Sequence, residues 1–318
     1  MYVGCGEQTS MTKRQFEYGV YGLIIQSDIA LPELGSISKM EGGVVEISRS
    51  NDLDKPLEGA ENIHQGVQAT ENEIRLQIPD LVSLSIRDGD DIRYQPAPGV
   101  SADRYRVFIL GSGLGALLMQ RGYLVLHGNA IDMDDGGALM CVGPSGVGKS
   151  TTAAAMMQRG YRVVADDVCP VAADGTVIPG MPRIKLWEEA AEHLSLDIAG
   201  HSRIFPEMPK YTIPLESYHV SLPLPVRTIV ELDVYDESSV SVERVLGSEK
   251  CAIIRRNSYR YQYLEAMRGT ASHFAKAADF ASKINVFKLR RPQKGFAMDQ
   301  LLDSLLDLYY KQDPHKVS

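Results

Sequence analysis

Apolar positions fall along the chain in two styles. From residue 16 to about 100 they form short β-like runs: Glu17 to Gln26, Gly43 to Ser48, Ile74 to Ile78, Val82 to Ile86 and Asp91 to Tyr94. Turn-rich segments such as Asp88-Gly-Asp-Asp91 divide them. This pattern predicts a small, mainly antiparallel β lobe over residues 1–100, ending near Pro96-Ala-Pro-Gly99. Beyond it, continuous apolar runs at Leu124 to Leu126, Ala138 to Val142 and Tyr161 to Ala165 predict buried strands, the last two of them parallel. They alternate with helical segments. Asp103 to Arg121 leads in, Thr151 to Arg159 stops at Gly160, Glu188 to Leu194 follows, and Met298 to Tyr310 has leucines at helical spacing. Residues 101–318 therefore read as an α/β domain. Within the first helix, Val107 to Met119 is too short to span a bilayer, and Gly111, Gly113 and Gly115 predict a small-residue face against the α/β sheet. Its Gly-x-Gly pattern is a weak dinucleotide signal, because no pair of strands frames it.

Gly143-Pro144-Ser145-Gly146-Val147-Gly148-Lys149-Ser150 is a complete G-x-x-x-x-G-K-[ST] phosphate loop, set between a predicted strand and a predicted helix. Its glycines allow the backbone to wrap a polyphosphate, and successive N–H groups with the helix N-terminus attract the anion. Lys149 is placed to reach the β and γ phosphates and the Ser150 hydroxyl to sit on Mg²⁺; Thr151, in the same nucleotide-binding stretch, and Thr152 are alternatives to Ser150 only if the register shifts.

Asp166 and Asp167 follow the next apolar run. In an open α/β sheet the carboxyl ends of strands face the ligand crevice, so the pair is expected beside the loop. Adjacent strand residues point to opposite faces, which predicts different duties for the two acids. One would hold Mg²⁺, and the other would accept a proton from an attacking hydroxyl. Read alone, the pair also suits a surface turn. His127, in Leu126-His127-Gly128-Asn129-Ala130, ends another apolar run, and by itself reads as a core or hydrogen-bonded histidine.

These three segments, in this order and spacing, resemble the catalytic core of the HPr kinase/phosphorylase family. The resemblance implies a P-loop kinase domain of HPr kinase/phosphoenolpyruvate carboxykinase type carrying the small β lobe. It implies transfer of phosphate from ATP, with Mg²⁺, to a serine hydroxyl. His127 would lie near the transferred phosphate, and the Asp166/Asp167 pair would supply the metal contact and the base; their order along the strand, and not the resemblance, favours Asp166 on the metal and Asp167 as the base. The glycine- and isoleucine-rich signature that follows the aspartates in bifunctional members is replaced here by Gly180-Met-Pro-Arg-Ile-Lys-Leu-Trp187. In this respect the chain is more similar to the kinase branch that phosphorylates precursors of lasso peptides, as are Tyr18 to Leu34 and Ile284 to Pro292. The acceptor implied is a peptide or small protein. Homo-oligomers are in keeping with the resemblance, since the bifunctional members form hexamers.

Bulk numbers narrow the picture further. A hydrophobic content of 44% and a charged content of 23% are ordinary for a globular protein, and the net charge of −8 argues against nucleic-acid or anionic-membrane partners. Cys5, Cys141, Cys169 and Cys251 form no CxxC pair, and Met1 to Gln15 holds no signal-like apolar segment, so a cytoplasmic location is expected. Arg260, in the basic and aromatic stretch Arg255 to Tyr261, is a candidate substrate or phosphate contact, as is Lys185. The same stretch also suits a solvated helix face. Pro206 to Pro214 and Pro223-Leu-Pro225 suggest a loop over the site. Two other readings stand beside the peptide kinase: a small-molecule kinase, and a nucleotide-dependent switch or ATPase without acceptor. Neither Asn-Lys-x-Asp nor Leu-Ser-Gly-Gly-Gln occurs.

Overall fold

The computed structural model describes residues 15–35, 42–64, 66–293 and 298–311; Cys5, Met1 to Arg14 and the 313–318 tail lie outside the described residues. The first strands, β1 (Phe16–Val20) and β2 (Leu23–Ser27), form a hairpin turned by Tyr21 and Gly22, both at positive φ (55° and 72°). That geometry matches the right-handed twist of the two strands. β3 (Val44–Arg49), β4 (Glu61–His64), β5 (Val67–Ala69), β6 (Glu73–Ile78), β7 (Val82–Arg87) and β8 (Asp91–Pro96) complete an eight-stranded sheet. Its order is β1-β2-β3-β8-β7-β6-β5-β4, antiparallel except at β2–β3 and β3–β8. β4 and β5 escaped the sequence reading because they are short, four and three residues, too few to show an alternating pattern.

Next comes α1 (Ala102–Phe108), a π-helical turn at Ile109–Gly113, and α2 (Leu114–Gln120). Ile109, Leu110, Leu114 and Leu117 share one core with the inner face of the eight-stranded sheet. The sequence reading placed this helix against the α/β sheet; instead its apolar side belongs chiefly to the β lobe. Its small-residue face meets Tyr259, whose ring lies where a side chain on Gly115 would stand.

The second sheet holds β9 (Leu124–Asp132), β10 (Ala138–Val142), β11 (Arg162–Val171), β12 (Thr176–Val177), β16 (Leu224–Tyr235), β17 (Ser241–Arg244) and β18 (Asn285–Pro292). β13 (Arg183–Trp187), β14 (Arg203–Phe205) and β15 (Met208–Pro214) form a separate three-stranded sheet. The expected parallel pairing holds for β10, which lies parallel to β16. It fails for β11, which runs antiparallel to β9 along its length. β10 pairs with both β9 and β16, so β9, β11, β12, β16 and β10 close into a ring of strands. Side chains alternate across β10: Leu139 and Cys141 pack towards α3 (Lys149–Gln158) and α8 (Met298–Tyr310), while Ala138, Met140 and Val142 pack towards α5 (Ser248–Arg256) and α7 (Thr270–Lys283). Two further short helices, α4 (Glu188–His193) and α6 (Tyr261–Ala266), follow β13 and precede α7. The segment read as a loop over the site, Pro206 to Pro214, is instead mostly strand, paired with β13. Among the described residues no helix is long and apolar enough to cross a membrane.

Candidate active site

The phosphate loop joins β10 to α3 as its motif requires. Gly143, Gly146 and Gly148 all have positive φ (141°, 84° and 104°), and a Cβ on Gly143 would overlap the Leu232 carbonyl oxygen. Only glycine tolerates both conditions. Lys149 is buried and donates to the carbonyls of Gly143 (2.8 Å) and Pro144 (2.9 Å). Burial lowers its pKa, and the carboxylates of Asp166 and Asp167 oppose that shift. Asn129, absent from the sequence-derived site, donates to the Lys149 carbonyl (2.5 Å) and so ties α3 to β9. Val147 is buried beneath the loop, whereas Pro144, Ser145 and Gly146 are exposed at its tip.

The aspartates differ from expectation in position and in direction. They lie in the middle of β11, opposite Asn129 and Gly128 of β9, and not at a strand end. Asp167 has φ 73°, so the strand's up-down alternation breaks there. Both carboxylates consequently turn towards the loop region, and each meets Lys185. Asp166 accepts from the Ser150 hydroxyl (3.1 Å) and from the Lys185 backbone N–H (3.1 Å). Asp167 receives Lys185 Nζ at 2.6 Å and lies 3.4 Å from His127 Nδ1. His127, whose N–H bonds the Asn257 carbonyl (2.8 Å), sits within β9, held between β11 and the 257–259 segment.

Electrostatics separate the two acids. Burial raises the pKa of Asp166, and the charge of Asp167 raises it further. Burial also pushes Asp167 upward, but Lys185 and His127 outweigh it and hold that carboxyl well below the usual carboxylate range. Ser150 Oγ and Asp166 are hard oxygen donors beside the phosphate cradle. This donor set fits Mg²⁺, which takes one or two protein oxygens and fills its remaining positions with phosphate and water.

A cavity of about 840 Å³ opens above Asp167, lined by His127, Lys185, Pro144, Ser145 and Arg260. Arg260 adopts the left-handed conformation (φ 43°) and lies over the rings of Tyr259 (5.6 Å) and Tyr263 (5.7 Å). It is exposed at the N-terminal end of α6 and forms a wall of this cavity. Lys185, expected as a substrate contact, lines the cavity and also binds Asp167 directly. The far wall was not foreseen: Glu231 and Asp233 of β16, Arg256, and Lys288 and Arg290 of β18. Glu231 accepts from Arg256 (2.5 and 2.7 Å) and from Asn257 (2.8 Å). No local motif marks Glu231, Asp233, Lys288 and Arg290, which only the pairing of β16 with β18 brings together, while Arg256 comes from the basic stretch at the end of α5. Lys210 of β15, also missed, is half-buried within electrostatic reach of both aspartates; desolvation lowers its pKa and the two carboxylates oppose that shift.

The family description "HPr Serine kinase C-terminal domain" matches residues 121–188. HPr kinase/phosphorylases of Clostridium botulinum strains Eklund 17B (Type B) and Alaska E43 (Type E3) are each 40% identical over 62 residues, covering 19% of this chain and 20% of theirs. The chain thus matches about a fifth of the length of these relatives. The HPr(Ser) kinase/phosphatase from Coxiella burnetii aligns with 58% of this chain and 89% of its own, at 16% identity and a TM-score of 0.29. The matched segment from Arg121 to Glu188, which contains the phosphate loop, both aspartates, His127 and Lys185, is similar to the HPr serine kinase C-terminal domain.

Proposed function

We propose that this protein transfers the γ-phosphate of ATP to a serine hydroxyl of a peptide or small protein, and that the acceptor is the ribosomally made precursor of a lasso peptide. The observation that carries the reading is Asp167, turned out of its strand at positive φ and clamped by Lys185 and His127 beside a phosphate loop. The family match over residues 121–188 supports the serine kinase chemistry. Strand β13, which supplies Lys185 where bifunctional members carry their signature, supports the precursor-kinase branch.

The phosphates lie along residues 143–151, and Lys149 leaves its two carbonyl partners to neutralise the β and γ oxygens. Ser150 and Asp166 would hold Mg²⁺, and that ion would supply positive charge against the developing negative charge of the transferred phosphate. The acceptor serine enters the 840 Å³ cavity. Its Oγ forms a bond to the γ-phosphorus while the bond from that phosphorus to the β–γ bridging oxygen breaks, and ADP departs with the electron pair. Asp167 takes the hydroxyl proton. Transfer of this kind proceeds through a loose transition state, so a weakly basic but permanently ionised carboxylate suffices. Lys185 and His127 keep that carboxylate ionised and aimed. Arg260 faces the same space and offers charge to the transferred group or to an acidic acceptor.

The test is the intact mass of a precursor peptide, encoded next to this gene, after incubation with the protein, ATP and Mg²⁺. Gain of one phosphate, absent with Lys149→Ala, is the expected result. ATP consumption without peptide phosphorylation would move the assignment to a metabolite kinase or a nucleotide-driven switch.

A further inference from the structure

The phosphate loop borders two separate spaces, and the transfer chemistry occupies one of them. Pro144 and Ser145 open onto the cavity of Asp167, His127 and Lys185. Gly146, Gly148 and Thr151 open instead onto a second cavity of about 550 Å³, walled by Trp187, Arg291 and Met298. A polyphosphate in the loop has a direction. Its γ end must lie where Lys149 and the aspartates meet the acceptor, so its α end leaves across the first turn of α3, at Thr151. That exit is the mouth of the second cavity. We propose that this second cavity is the nucleoside subsite, with Arg291 on the phosphates as they leave the loop and Trp187 as the stacking surface for the base. The inference rests on the ATP reading of the loop given above.

Two observations, independent of the direction of the phosphates, point the same way. The Arg291 guanidinium lies 3.7 Å from where a Cβ on Gly148 would stand. It donates to the carbonyls of Val147 (3.2 and 3.4 Å) and Pro292 (3.2 Å), and no carboxylate pairs with it among the described residues. Burial presses its pKa down, with no acid to offset the loss. A half-buried guanidinium fixed to a phosphate loop and lacking a counter-ion has its place prepared for an anion. The second observation concerns Trp187, the only tryptophan of the chain. It stands 44% exposed at the end of β13, with Lys210 Nζ 5.5 Å from its ring centroid. An indole on the wall of a cavity next to the phosphate exit can stack on any base, since every base has a π face. The two cavities thus let nucleotide and acceptor approach the loop from opposite sides.

Because Trp187 is the sole tryptophan, its emission reports on this cavity alone. The full chain is titrated with Mg·ATP, Mg·ADP and tripolyphosphate, with binding followed in parallel by calorimetry. ATP and ADP are expected to change Trp187 emission, whereas tripolyphosphate binds and leaves it nearly unaltered. Trp187→Ala is expected to weaken ATP binding about tenfold or more, with Trp187→Phe within about threefold of the parent. Neither variant should shift the KM of the peptide acceptor. Arg291→Ala is expected to weaken ATP and tripolyphosphate alike, by about tenfold. ATP binding with unchanged emission and full affinity in Trp187→Ala would overturn the subsite and leave the phosphate-loop reading standing. Absence of any ATP binding by calorimetry would overturn both.

Discussion

The phosphate loop and the aspartate turn lie against each other, joined by the Ser150–Asp166 hydrogen bond, yet they are built on different principles. The loop is local. Eight consecutive residues supply its positive-φ glycines, its cation and its hydroxyl, and the helix that follows contributes its N-terminus. The aspartate turn is assembled from a distance. His127 is 40 residues before Asp167 and Lys185 is 18 residues after it, and both reach it only because β9 and β13 flank β11. A local device binds phosphate in many proteins, whereas a turn held by remote partners can be adjusted without disturbing it. Nucleotide binding and phosphoryl transfer should therefore be separable by mutation.

The strongest attempt to break this separation is Asp167→Asn beside Lys149→Ala. The first should lower single-turnover transfer by about 10³-fold, as loss of a positioned proton acceptor does, with ATP affinity by calorimetry nearly unchanged. The second should lower both, each by about 10²-fold. Equal losses of ATP affinity in the two variants would mean that loop and turn act as one unit.

A smaller effect sharpens the comparison. Lys185→Met removes the cation that holds the Asp167 carboxyl far below its ordinary range. Transfer should fall about tenfold to 100-fold near neutral pH. The carboxyl pKa should also climb, so the acid limb of the pH–rate profile moves to higher pH in the variant while the parent stays active at lower pH. An unmoved acid limb would assign that limb to another group.

The smallest effect tests how far the remote support extends. Ser258 lies in the segment that bonds β9 at Leu126, and its hydroxyl meets His273 Nε2 at 2.8 Å. Burial holds His273 neutral, with its pKa lowered to about 4. An unfolded histidine takes up its proton near pH 6.5. Between about pH 6.5 and 4 the unfolded chain therefore binds more protons than the folded one, and stability should drop as pH falls through that window. The loss should be roughly 2 kcal/mol, discounted for partial solvation of the ring, and flat above pH 7. Denaturant titrations of the parent and of His273→Gln should differ in slope only within this window.

Much of the α/β part was legible from short-range pattern. Ala138–Val142 and Met298–Tyr310 have the bounds the apolar spacing predicts, and α3 follows the loop as expected. Other readings failed for physical reasons. The apolar run at Tyr161 to Ala165 announces a buried strand but cannot say which neighbour it pairs with, and β11 runs antiparallel to β9 and continues through both aspartates. The Asp167 turn could not be foreseen either, because a positive φ is uncommon for a non-glycine residue and the partners of its carboxylate, Lys185 and His127, come from other strands. Glu231, Lys288 and Arg290 carry no motif and become neighbours only through the parallel register of β16 and β18.

By itself, the sequence determined the phosphate loop and the strand and helix that frame it, since each depends on residues a few positions apart. The tertiary structure alone decided the direction in which the two carboxylates point, the partners that set their charge, and the division of space around the loop into two cavities. Those properties depend on strand pairing and on desolvation, which arise only when segments far apart in the chain are packed together.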